Sequence, residues 1–128
     1  MRKVFVEQLE KEMKVDKKII LLTADLGYRV FENIKNNFPK QFINVGVAEA
    51  NMVGVAAGLA ANGFKLYIYS ITPFITSRVL EQIKLSICYD DFNVKIIGVG
   101  GGYNYGAQGI SHHSIEAVSY THLTLPTN

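Results

Sequence analysis

The chain has 128 residues, 48% hydrophobic and 19% charged, a composition that suits one globular domain with a real core. A formal charge of +2, with lysines interspersed among acids, gives no basic stripe for nucleic acid, and no apolar stretch approaches the roughly 20 residues of a membrane span. The single Cys88 excludes an internal disulfide, and "MRKVFVEQLEKEMK" lacks the apolar block and cleavage site of a signal peptide, so a cytoplasmic location is expected.

Along the chain, Val4, Phe5, Leu9 and Met13 share one helical face, with Glu7, Glu10 and Lys11 left for the other, which predicts an amphipathic first helix. "KIILLTADLG" is an aliphatic run without polar alternation, the mark of a strand covered on both faces. "RVFENIKNNF" reads as a short helix closed before Pro39, "FINVG" as a strand, and "AEANMVGVAAGLAANG" as a helix ended by Asn62 and Gly63. "KLYIYSI" is the next strand. Pro73 then opens one helix through "FITSRVLEQIKLSI", and "VKIIGVGGG" is a last buried strand running into a glycine loop; Cys88 reads as a small buried hydrophobe. The order αβαβαβαβ predicts a three-layer α/β fold, a mostly parallel sheet with helices on both faces. Ligands then bind beyond the carboxyl ends of the strands, in the loops after Ala24, Gly46, Ser70 and Gly98.

One carboxylate stands out. Glu49 lies among Val, Ala, Gly and Met where "FINVG" turns into a helix, and an ionised carboxyl in apolar surroundings requires a partner or a role. Two roles fit its position: a helix-start Glu bonded to its own backbone amides, or a tuned carboxyl that shares a proton with a heterocycle nitrogen. Asp25, at the end of the first strand, carries the same ambiguity.

The glycine loop "GVGGGYNYGAQG" accommodates no G-x-G-x-x-G and lies at the fourth strand, so its content is a backbone able to approach a ligand closely, with Tyr103 and Tyr105 as lids. His112 and His113 are adjacent, and adjacent side chains diverge. With no third His or Cys cluster nearby, proton transfer or substrate hydrogen bonding suits them better than a metal, and a surface loop is the plain alternative. Ser111 and Ser114 lack the G-x-S-x-G setting of a hydrolase nucleophile.

Taken together, "TADLG", "INVGVAEANMVGVAAGLA", "YSITPFITSRVLEQIK" and "GISHHSIE" resemble the pyrimidine-binding domain of transketolases, and in particular the stand-alone C-terminal subunit of split transketolases. The resemblance covers residues 1–117. It implies thiamine diphosphate held between two domains, the aminopyrimidine by this one, and the diphosphate with Mg2+ or another divalent cation by a partner, with no metal ligand from this chain. By motif it implies Glu49 as the acid that hydrogen-bonds the pyrimidine ring nitrogen and favours its imino tautomer. It implies Leu26 as the residue that keeps the cofactor bent, Asp25 as a structural or dimer-contact acid, and Phe74, or Ile75 by strict alignment, as the residue stacking on the pyrimidine. His112 matches the histidine that binds and protonates sugar oxygens, and His113 and Gln108 complete the candidate substrate set.

The departures from the family pattern are Gln108 in place of an Asp, Tyr28 in place of a phosphate-binding Ser, and Gly100 in place of a substrate His. The resemblance implies transfer of a two-carbon ketol unit between sugar phosphates by a dimer of heterodimers with an N-terminal transketolase subunit, and inactivity of this chain alone. The alternatives are an enzyme like 1-deoxy-D-xylulose-5-phosphate synthase and a noncatalytic α/β interaction domain. Residues 118–128, within "VSYTHLTLPTN", continue no helical face and resemble the translated end of a transposon used in sequencing libraries, so a non-native tail is expected there.

Overall fold

The computed structural model describes residues 2–114. β1 (Ile19–Thr23) is buried at every position because both faces of the sheet are covered. Side chains alternate across a strand, so Ile19 and Leu21 enter one apolar cluster while Ile20 and Leu22 enter the other. The sheet has four strands in the order β2-β1-β3-β4, with β2 at Phe42–Asn44, β3 at Lys65–Ile71 and β4 at Val94–Val99, all paired in parallel.

Helices α1 (Arg2–Val15) and α2 (Glu32–Asn37) lie on one face, where Leu9, Met13 and Ile34 meet Leu21, Phe31 and Tyr69. On the other face α3 (Glu49–Ala61) contributes Met52, Val53 and Ala56 to a cluster with Leu22, Leu66 and Ile68. This is the predicted three-layer α/β architecture. α3 ends where Gly63, at φ 81°, turns the chain into the left-handed region. The Gly63 N–H bonds the Ala60 carbonyl and the Phe64 N–H the Leu59 carbonyl, which closes the last turn.

Three expectations are corrected. Val4 is 67% exposed, and the inward face of α1 is carried by Leu9 and Met13, with Phe5 and Val6 half-buried beside them. β4 is an edge strand with no fully buried residue, because only β3 flanks it. The single helix expected after Pro73 is broken into α4 (Thr72–Ile75), a 3-10 turn at Ser77–Val79, α5 (Leu80–Ile83) and a π turn at Lys84–Cys88. The break lies at Thr76, whose φ of −116° and ψ of −88° leave the helical region while its hydroxyl donates to the Thr72 carbonyl at 2.6 Å. Such back-bonding from Thr to the preceding turn competes with the helical ladder and bends it. Cys88 is half-buried against the α3-side cluster. No described helix is long and apolar enough to cross a membrane.

β1 leads outward to β2, whereas α3 carries the chain back across β1 to β3. The direction of winding therefore reverses between β1 and β3, and α3 begins at the end of the sheet where such crevices bind ligands.

Candidate functional site

At the carboxyl end of the sheet, Asn44 joins two loops. The Asp25 N–H donates to Asn44 Oδ1 at 2.9 Å, the Asn44 amide donates back to Asp25 Oδ1 at 3.1 Å, and the Gly46 N–H also reaches Asn44 Oδ1 at 3.0 Å. This clasp holds Asp25 at φ 54°, a left-handed conformation that Asp tolerates better than most residues. Leu26, next in sequence, is half-buried against the cluster under α1 and α2 and lines a cavity of about 380 Å³ with Asp25, Tyr28 and Asn44. The Thr23 hydroxyl borders the same cavity, buried and without a hydrogen-bond partner among the described residues.

Glu49 is the first residue of α3 and only 3% exposed. Ala48 precedes it and supplies no side-chain cap, so the buried carboxylate sits at the positive end of the helix. Its two oxygens have separate partners. Ser70, near the end of β3, donates to Oε1 at 3.3 Å, and Arg78 donates from Nη1 to Oε2 at 2.9 Å. The Arg78 guanidinium also lies over the Phe74 ring, 3.9 Å from its centroid.

From Phe74 the contacts continue edge-to-face to His112, with centroids 5.0 Å apart, and from His112 to Tyr105 at 5.7 Å. The Ser111 hydroxyl lies 3.0 Å from His112 Nδ1. A continuous string Glu49–Arg78–Phe74–His112–Tyr105 thus crosses the carboxyl ends of β3 and β4, linking a carboxylate, a cation, an aromatic face and an imidazole.

The histidines diverge, His112 toward Phe74 and His113 toward Tyr103 at 4.9 Å. Gln108 is exposed, and His113 and Gln108 lie off the string. Ile75 is 0% exposed within the α3-side core and presents no face to a ligand, whereas Phe74 is half-buried at the surface. Tyr103 is 69% exposed. Tyr105 instead packs into the space that Gly100 leaves open. Gly100 has φ 71°, and a Cβ there would come within 1.9 Å of the Tyr105 ring. The Tyr69 phenol borders a second cavity of about 570 Å³ with Arg2 and Tyr105. Burial pushes this phenol above its ordinary value, opposed by the nearby Arg2 cation.

Sequence pattern alone does not single out Arg78, Ser70 or Asn44. Arg78 stands four residues after Phe74 in "TPFITSR", but the chain leaves the helix at Thr76 between them, so helical spacing does not account for the contact. Its carboxylate partner is 29 residues away, so the ion pair is invisible to local pattern.

Residues 1–124 match the family model described as transketolase, pyrimidine binding domain. The chain is 39% identical over 119 residues to an apulose-4-phosphate transketolase subunit of Phocaeicola vulgatus, covering 92% of this chain and 38% of that protein. It is 40% identical over 120 residues to the 6-deoxy-6-sulfo-D-fructose transketolase subunit SqwH of a Clostridium species, covering 93% and 37%. Among solved structures it is similar to a split gene transketolase in an inactive beta4 tetramer, with TM-score 0.77 and 35% identity over 90% of this chain and 36% of that one. The chain therefore spans a little over a third of the length of the relatives it matches.

Proposed function

The chain belongs to the transketolase family, and from that premise we propose that it acts as the pyrimidine-binding, C-terminal subunit of a two-chain enzyme that moves a ketol unit between sugar phosphates with thiamine diphosphate. The observation that carries the proposal is Glu49, a carboxylate 3% exposed at the ligand-binding end of the sheet.

The residues fit the aminopyrimidine half of the cofactor. A carboxylate offers about four lone-pair sites, and Glu49 uses one on each oxygen, so capacity remains for a ring N–H. Phe74 supplies a flat apolar surface close by. Among the described residues no three His, Cys, Asp or Glu gather as a metal site, and the diphosphate with its divalent cation is assigned in this proposal to an N-terminal partner subunit. When bound, thiamine diphosphate supplies a carbon acid whose conjugate base adds to ketose carbonyls.

The chain's own side chains divide the remaining work. Glu49 holds a proton at the pyrimidine ring nitrogen, where burial beside a helix N-terminus orients the carboxylate and excludes competing water. Phe74 would take the stacking role in preference to Ile75, and Leu26, beside the Asp25–Asn44 clasp, would pack against the cofactor. His112, backed by Ser111, binds sugar oxygens and transfers protons to them. His113 and Gln108 stand further out, as contacts to the distal part of the sugar. The two relatives carry different sugars in their names, and neither sugar is assigned to this chain.

The experiment is Glu49→Gln in the full-length subunit, assembled with its partner and thiamine diphosphate. Loss of general acid–base catalysis predicts a fall of about 10²- to 10⁴-fold in kcat. Activity equal to wild type overturns the proposal in favour of a noncatalytic interaction domain. Residues 1–117 form the domain in this proposal and 118–128 a foreign tail, although the family match runs to residue 124 and the tail lies outside the described residues. Resequencing the locus is expected to replace the tail, and recovery of "SYTHLTLPTN" from an independent clone refutes that part.

A further inference from the structure

We infer that Arg78 is a positioning residue, one guanidinium that orients both Glu49 and Phe74 toward the pyrimidine ring of the cofactor; this rests on the reading of those two groups given above. Nη1 is 2.9 Å from Glu49 Oε2, and the guanidinium carbon is 3.9 Å from the Phe74 ring centroid. Half of the Arg78 side chain is solvent-exposed, while its carboxylate partner is buried.

Rigidity is what gives Arg78 this role. A guanidinium is planar, so laying it over Phe74 also sets the direction in which its N–H groups point. That direction meets Oε2, and the Ser70 hydroxyl meets Oε1 from β3, so the plane of the carboxylate is held from two elements. In the other direction, the ion pair holds the guanidinium on the ring and so limits the orientations open to Phe74. An ordinary charge partner for Glu49 requires no aromatic contact. A lysine neutralises a carboxylate as a compact point charge but lacks the flat face.

The test measures thiamine diphosphate binding by titration calorimetry, and melting temperature, in the full-length subunit assembled with its partner. The variants are Arg78→Ala, Arg78→Lys, Glu49→Gln and Phe74→Ala. Loss of a charged hydrogen bond together with the stack predicts that Arg78→Ala weakens binding about 10- to 100-fold. Arg78→Lys keeps a cation against Glu49, so it recovers the wild-type melting temperature while binding stays at least about 5-fold weaker. Recovery of both by lysine reduces Arg78 to a charge partner and overturns the inference, as does wild-type affinity in Arg78→Ala. If Glu49→Gln and Phe74→Ala weaken binding and Arg78→Ala does not, only this inference fails. If all variants bind as wild type does, or wild type does not bind, the cofactor reading fails with it.

Discussion

Asp25 and Asn44 hold each other through two hydrogen bonds, at 2.9 and 3.1 Å, across the ends of neighbouring strands β1 and β2. Asn44→Ala removes both, together with the bond from the Gly46 N–H, and leaves Asp25 in its left-handed conformation without support. Because these bonds are solvent-exposed, a cost of about 0.5–1.5 kcal/mol is expected from chemical denaturation. Asp25→Asn is expected to be milder, since Asn also tolerates that backbone region. A wild-type denaturation midpoint for Asn44→Ala refutes the clasp.

Phe74 and Ile75 are neighbours with opposite duties. Ile75 is fully buried, so Ile75→Ala should cost about 2–5 kcal/mol in denaturant while the assembled enzyme keeps its affinity for thiamine diphosphate. Phe74→Ala should do the reverse, with a smaller stability loss and a clear drop in cofactor affinity. Equal effects of the two variants on affinity argue against Phe74 as the stacking residue.

Alkaline pH should find Tyr67 and Tyr69 late to ionise. Burial raises the Tyr69 phenol; burial, together with the bond to Glu12 Oε2 at 3.0 Å, raises Tyr67. A raised value in the folded state means that the neutral phenol is favoured there. The stability involved is complete below the ordinary tyrosine value of 10.0 and disappears as pH rises through the higher folded values. Phenolate absorbance should therefore show two groups that ionise late, one of which Tyr69→Phe removes. Tyr67 and Tyr69 ionising at the ordinary value in a folded chain contradicts this.

The Arg2 cation opposes the rise of the Tyr69 phenol. Arg2→Ala is accordingly expected to move the Tyr69 absorbance step to still higher pH, and an unchanged step shows that the two groups do not interact.

Much of the fold is legible in the sequence because burial on both faces leaves a plain signature. "IILLT" and "KLYIYSI" are compact runs between turn residues, and both form strands. Asn62 and Gly63 mark the end of α3 for a similarly local reason. The region after Pro73 is not legible, since an apolar pattern at helical spacing does not reveal that the Thr76 hydroxyl takes the Thr72 carbonyl. For the site, Glu49 is visible as a charge out of place. Arg78, Ser70 and Asn44 are not, because each matters only through a partner brought close by the fold.

Gly100 and Tyr105 show how the site could diverge. The Tyr105 ring fills the volume that any side chain at position 100 would need. A larger residue at 100 requires the tyrosine to move or be replaced, in addition to the strain of a side chain at φ 71°. Positions 100 and 105 are therefore sterically coupled, and substitutions at the two are expected to be non-additive.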